Sequence, residues 1–474
     1  MDERRTRAIL LRPWGAVLFL AALLLVADID PLSGQIAPED RGSSNIKLLS
    51  NVPLGGARPL VGITSDGLRG LGRRTASLEI EQELTRPFVY VARRHNPSGF
   101  DIVDISDPSW AKRHYSWALA GSERDRGPGA VDGKYFKLDN RYYYALAFHF
   151  EEGGPHHDLG AIIFDVTSLP DTSGVREVAR IRGADTRGGI FSLFAYKHSD
   201  GRIMLVAAAN GEHALVYDAA RVVAGDASGA LIGRIPTPDV LLDHPLYGRG
   251  YQDVFVGYHP DTREDRFYGS GAGGFFVYDM TNPAAPTHRA AVAGVAGLRR
   301  GYSAQPSADG RYLIGEMAIR NMPTHVFDLT AALEQQTTSI RRPVGAYTPD
   351  WKNFSRAHEV RWPYVFTAAL EDGLRVMNLM DPTEPYTMGF FYTWDGPRSS
   401  HTDGDWNVNG AWDVKIRNAD GLIAVSDQVS GLWLLKMDEF TGWNGQRWGL
   451  PNMSSAQDWE RGPNAPPTRR AGGG

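Results

Sequence analysis

A short run of apolar, β-type residues that closes on an acidic or amide residue, often followed by proline, recurs along the chain. The copies are Gly99-Phe-Asp-Ile-Val-Asp-Ile-Ser-Asp-Pro108, Ala161-Ile-Ile-Phe-Asp-Val166, Ala214-Leu-Val-Tyr-Asp218 and Gly274-Phe-Phe-Val-Tyr-Asp-Met-Thr-Asn-Pro283. They continue with Thr324-His-Val-Phe-Asp-Leu329, Gly373-Leu-Arg-Val-Met-Asn-Leu-Met-Asp-Pro382 and Gly431-Leu-Trp-Leu-Leu-Lys-Met437. Equivalent positions are Asp104, Asp165, Asp218, Asp279, Asp328, Asn378 and Lys436, separated by 61, 53, 61, 49, 50 and 58 residues. That spacing belongs to propeller blades.

Each copy has similar surroundings. Upstream lie two strand-like runs with a turn between them, as in Phe191–Tyr196, the turn His198-Ser-Asp-Gly201, then Ile203–Ala207. Asp-Gly suits such a hairpin because glycine takes positive φ without a Cβ clash. Downstream come an Asp-Pro or Asn-Pro loop and a fourth run, for example Tyr386–Tyr392. Proline stays in the loops, where its missing N–H breaks no ladder. The pattern predicts an all-β fold: a seven-bladed propeller of four-stranded antiparallel blades.

The seventh copy lacks a fourth strand, and the run Asn45–Val52 has no blade of its own. Pairing residues 45–52 with 431–437 would close the ring and remove two bare edges. The domain reading is therefore a signal peptide or N-terminal membrane anchor (1–27), a linker (28–44), the propeller (45–437) and an irregular or disordered tail (438–474).

Phe100-Asp-Ile-Val-Asp-Ile-Ser-Asp-Pro108 and Leu374-Arg-Val-Met-Asn-Leu-Met-Asp-Pro382 resemble the repeat of LVIVD-repeat proteins, and Gly431-Leu-Trp-Leu-Leu435 resembles its last copy. That resemblance implies an exported bacterial or archaeal propeller and implies no single activity.

Composition narrows the function. The chain has 474 residues, no Cys and a net charge of -5. A thiol nucleophile, Cys-ligated metal and disulfide scaffold are excluded. There is no basic field for nucleic acid. Arg4, Arg5, Arg7 and Arg12 precede an apolar run from Trp14 to Ala27. A basic region followed by an apolar run shorter than the roughly 20 residues of a membrane span reads as an export signal. The expected location is the periplasm, the cell surface or the medium, with residues 8–27 as an anchor if they are retained. Membrane contact is expected through this segment alone.

Candidate chemistry falls where the inner strands of a propeller line its channel. Those strands should begin near Ser77 to Glu81, Tyr135, Phe191, Asp253, Tyr302, His358 with Glu359, and Trp412 with Asp413. Tyr135, Asp253, Tyr302, His358, Glu359, Trp412 and Asp413 are the channel-mouth binding candidates. Asp253, His358, Glu359 and Asp413 would suit a divalent cation. The alternative is that early inner-strand acids cap backbone groups or meet the next blade. His156-His157-Asp158 and His401-Thr-Asp403-Gly-Asp405 mix possible metal ligands but lack a known spacing. The Arg-Arg pairs 73–74, 93–94, 299–300 and 341–342 read as solvated loops. Trp443 and Trp448 in the tail could anchor on the ring or engage a partner.

No Gly-x-Ser-x-Gly, Gly-x-x-x-x-Gly-Lys or His-Glu-x-x-His motif occurs. The sequence therefore favours a non-enzymatic binding or scaffold propeller of the cell envelope, an accessory subunit of a membrane assembly being one form. It would take a protein partner or small ligand on one face. No cofactor beyond a divalent cation is implied. The alternative is a metal-dependent hydrolase or oxidoreductase with its site at the channel mouth.

Overall fold

The computed structural model describes residues 41–54, 75–94, 97–226, 229–238, 250–317, 322–336, 339–348, 355–394, 409–445 and 457–463. These form seven sheets of four antiparallel strands, one of them with a fifth, parallel strand, arranged as the blades of a propeller. The inner strands of blades 1 to 7 are Thr75–Ile80, Gly129–Leu138, Ile190–Lys197, Tyr251–His259, Ser303–Pro306, Ala357–Arg361 and Ala411–Arg417. The third strands are the repeated runs, from Gly99–Asp104 in blade 1 to Gly431–Met437 in blade 7.

The repeated acidic residue has a local cause. It sits at the end of the third strand and accepts the amide of the residue two further on. Asp104 takes Ser106 N at 2.9 Å, Asp279 takes Thr281 N at 2.9 Å, and Asn378 takes Met380 N at 2.7 Å. This Asx turn frees the chain from the sheet and satisfies an amide the ladder no longer pairs. The residue directly before the proline does the same: Asp107 accepts Ser109 N and Asp381 accepts Thr383 N, both at 2.9 Å.

The repeated glycine also has a cause. A Cβ at Gly99 would lie 2.0 Å from Trp117 O, at Gly274 2.0 Å from Val292 O, and at Gly373 2.1 Å from Phe391 O. In these blades the third strand starts where the outer strand's carbonyl comes too close for any side chain. Gly431 repeats the contact, its Cβ position 2.3 Å from Val52 O. Blade 7 thus treats the N-terminal strand Ile46–Val52 as its own outer strand. The two pair antiparallel from Ile46 opposite Met437 to Val52 opposite Leu432, with an irregularity between Leu48 and Ser50. Ile46 and Val52 enter the core, while the irregularity leaves Leu48 45% exposed.

Blade 4 differs from expectation by one element. The short strand Ser339–Ile340 adds parallel to its outer strand Thr287–Ala293, making five strands there.

Core packing lies between blades. Tyr90 and Phe100 of blade 1 meet Tyr144 and Phe164 of blade 2 with ring centroids 4.6 to 5.0 Å apart. Such close aromatic pairs add to the burial of large apolar area.

Candidate functional site

All seven inner strands start at the same face, and their first residues surround one axial cavity of about 690 Å³, counting its opening to solvent. Its wall includes Asp253, Tyr302, His358, Glu359 and Asp413, together with Asp132, Lys134, Arg356 and Lys415.

Small irregularities aim these side chains. Val131, Phe191, Gln252 and Trp412 are each an extra residue against the neighbouring strand. A bulge re-aims the residue after it. Those following residues are Asp132, Ser192, Asp253 and Asp413, and they join the blades. Asp132 Oδ2 accepts Leu193 N at 2.8 Å. Ser192 and Ser303, from the blades on either side, both donate to Asp253. Gln305 holds His358 O at 2.6 Å and Val360 N at 3.1 Å. Asp413 Oδ2 accepts Leu78 N at 3.1 Å, across the junction of blades 7 and 1. Ser98 Oγ accepts Ala130 N at 2.7 Å between blades 1 and 2. With Lys415 to Glu359 at 2.7 Å, every blade junction carries a polar bond at this level.

The proposed metal set is thus on the channel wall but employed otherwise. Asp253 and Asp413 bridge blades, and Glu359 pairs with Lys415 and Arg361, the latter at 2.8 Å. Among the described residues no three His, Asp or Glu side chains are grouped as metal ligands. His358 stands apart from the other three. Its Nδ1 lies 3.2 Å from Glu316 Oε2, both side chains are fully buried, and neither makes a hydrogen bond within the chain.

Below the mouth the channel holds a compact ionic network. Lys134 meets Asp132 at 2.6 Å, and Lys415 meets Glu359 at 2.7 Å and Asp413 at 3.2 Å. Burial alone would raise the Glu359 carboxyl, but Lys415 and Arg361 overcome it and hold it down at about 2. Burial also raises Asp413, against the pull of Lys415 and Lys134. Burial pushes Glu79 up to about 8, so it is protonated at neutral pH. Lys134, Lys415 and Arg361 then face Asp132, Glu359 and Asp413, and the interior carries balanced charge.

Tyr135 is a correction. The inner strand of blade 2 begins at Gly129, so Tyr135 lies in its second half, toward the far end of the channel. In the run Gly-Ala-Val-Asp-Gly-Lys that precedes it, Gly133 leaves room for Tyr144, since its Cβ would lie 2.1 Å from Tyr144 Oη. Asp132 is the residue that occupies the mouth level. Tyr135 instead meets Trp459 edge-on, with centroids 6.3 Å apart.

The described tail residues lie on that far face. Trp443 Nε1 donates to Trp362 O at 3.0 Å, just past the end of blade 6's inner strand. Gln457 takes Lys197 N at 2.6 Å and donates to Ala195 O at 2.7 Å, pairing with the free edge of blade 3's inner strand. Glu460 meets Lys137 at 2.6 Å. Trp443 is therefore anchored on the ring. Trp448, His401, Asp403 and Asp405 lie outside the described residues, as do residues 1–27. His156, His157 and Asp158 part company: His156 Nδ1 meets Asp125 at 2.6 Å, His157 meets Gly154 O, and Asp158 pairs with Arg182.

The open mouth carries a feature that the sequence reading missed. The Arg356 guanidinium lies 4.2 Å from the Tyr302 ring centre and 3.7 Å from that of Trp412. Arg94 lies 4.8 Å from Trp412 on the side of blade 1. Tyr302, Arg356, Trp412 and Arg94 thus form an alternating stack around the mouth from blade 5 to blade 1. The expectation that pair 93–94 is a solvated loop is overturned: Arg93 is buried in an ion pair with Asp101 at 2.8 Å, and Arg94 joins the stack. Tyr302 and Trp412 were legible as inner-strand starts. The arginines carried no signal beyond their position beside strand starts.

No family model and no curated protein matches the chain. Among solved structures it is similar to the WD40 β-propeller domain of Doa1, with a TM-score of 0.51, 11% identity, and coverage of 84% of this chain and 99% of that one. At that identity the likeness concerns the fold alone, a β-propeller, and the seven sheets of this chain give its blade count.

Proposed function

We propose that this chain is an exported binding propeller of the LVIVD-repeat type, acting in the cell envelope through the face at which its channel opens. The observation that carries this reading is the division of labour along the axis. Charges inside the channel are matched with one another, whereas the mouth presents aromatic and guanidinium groups of the kind enriched at binding hot spots. The far face is partly covered by the chain's own tail. The basic-then-apolar N-terminus supports export, and a rigid ring with paired edges suits a scaffold that presents one face to a partner. A membrane assembly is the partner most consistent with an envelope location.

Co-purification of the full chain from native membranes, with mass spectrometry, tests this. The expected result is a mature chain that either begins after the apolar segment or retains it, with a stoichiometric partner that is lost on substituting mouth residues. A cytoplasmic, lone monomer would overturn it.

A second reading, a metal-dependent hydrolase or oxidoreductase at the same mouth, is favoured by one observation. The buried His358 and Glu316 leave their ring nitrogens and carboxylate oxygens without hydrogen bonds. Buried polar atoms of this kind call for a water or an ion. Elemental analysis decides it: one equivalent of metal per chain, lost in His358→Ala, would establish this reading, and metal-free folded protein would remove it.

A further inference from the structure

We propose that the channel mouth is a binding site for small oxyanions, carboxylates or phosphates, with Arg356 as its anchoring group. The inference rests on the assignment of the mouth as the working face.

Four observations converge. First, the Arg356 guanidinium lies over the Tyr302 and Trp412 rings, 4.2 and 3.7 Å from their centres, contacts that restrict its position without using its N–H donors. A guanidinium positioned by aromatic rings can grip an oxyanion with two parallel hydrogen bonds. Second, Arg356 makes no ion pair among the described residues, although it lines a cavity that also holds Asp253, Glu359 and Asp413. Those carboxylates are committed to serines, amides, lysine and Arg361. Third, a second guanidinium, that of Arg94, lies 4.8 Å from the centre of the same Trp412 ring that Arg356 covers. Fourth, the Trp412 indole nitrogen is a buried donor with no acceptor, on the ring that Arg356 covers. A buried donor left unpaired is costly and is relieved by an incoming acceptor.

The cavity opens beside Arg356, and below it the wall passes to the balanced ionic network. An anion therefore meets, at the rim, a guanidinium that has no ion pair among the described residues, and further down only charges paired with one another. Stacked aromatic faces beside the anion seat would accommodate a flat, apolar portion of the same ligand.

The test is calorimetric titration of the full chain with inorganic phosphate and, separately, succinate, at constant ionic strength set by sodium chloride. Trp412 fluorescence serves as a second readout. Saturable binding of at least one probe, one per chain, is expected. Saturation by succinate alone identifies a carboxylate site, and saturation by phosphate alone identifies a phosphoryl site. Arg356→Gln should weaken binding at least tenfold. Arg356→Lys should weaken it several-fold, because it keeps the charge and loses the planar fork. An exposed control, Arg182→Gln, should change nothing. Failure of both probes to saturate overturns the proposal. So does undiminished binding in Arg356→Gln, or, if that variant melts below the assay temperature, undiminished binding in Arg356→Lys. The membrane co-purification separates this from the broader reading. A captured partner without anion binding removes the anion site alone, and anion binding in a cytoplasmic monomer removes the envelope reading alone.

Discussion

The Asp or Asn that ends the first six repeats is a turn device, and its contribution can be measured one blade at a time. Asp104 accepts both the amide and the hydroxyl of Ser106, at 2.9 and 2.7 Å, on the exposed end of blade 1. Asp104→Ala should cost about 1 kcal/mol in chemical denaturation. Asp104→Asn should retain most of that, since blade 6 uses Asn378 at the same place. Glu79 makes a different, pH-dependent prediction. Its carboxyl titrates near 4.5 when exposed and about 8 when folded, so between those values the folded chain holds a proton that the unfolded chain has released. Stability from this group is full below the lower value and falls as pH rises toward the upper one, by up to about 1.4 kcal/mol per pH unit. Glu79→Gln is neutral throughout. Melting curves from pH 5.5 to 8.5 should therefore decline less steeply in the variant, and a parallel decline would show that Glu79 does not carry the effect. At this scale the repeated Asp was legible, because an Asx turn needs only three consecutive residues. The role of Asp253 and Asp413 was half legible. Their place on the inner strands followed from the pattern, but their partners come from neighbouring blades some 50 or more residues away.

Among the elements, the N-terminal strand has the clearest consequence. Ile46–Val52 covers the edge of Gly431–Met437, and Gly431 is shaped to receive it. Deleting residues 41–54 bares a hydrogen-bonding edge and opens the ring. The melting temperature should fall by about 10 °C or more, and size-exclusion chromatography should show self-association through that edge. An unchanged monomer of unchanged stability would mean that the closure contributes little. The pairing was readable because two incomplete elements of matching length stood at opposite ends of the chain. The start of blade 2 was not readable. A bulge at Val131 and a glycine required by Tyr144 break the alternation that marks a strand, and both arise from packing against other segments.

For the whole molecule, the axis has two unlike ends. Gln457 pairs with the channel edge of blade 3 and Trp459 packs on Tyr135, so the tail stabilises the far face without belonging to any sheet. Ending the chain after residue 445 should leave the ring folded, with the melting temperature lowered by a few degrees. The Lys197 amide should then exchange with solvent faster, because it loses its acceptor. Unchanged exchange at Lys197 would show that the tail does not dock there in solution.

The sequence by itself determined the architecture: the blade count, the strand that closes the ring and the residues that begin most inner strands. Each of these follows from local periodicity repeated seven times. The tertiary structure decided what the mouth presents. Arg94 and Arg356 carry no signal as sequence and become part of the mouth only when Tyr302 and Trp412, from two other blades, stack with them. The same folding spends the channel carboxylates on neighbouring blades. Periodicity encodes contacts within a blade, whereas charge balance at an axis depends on seven separate segments meeting at one point.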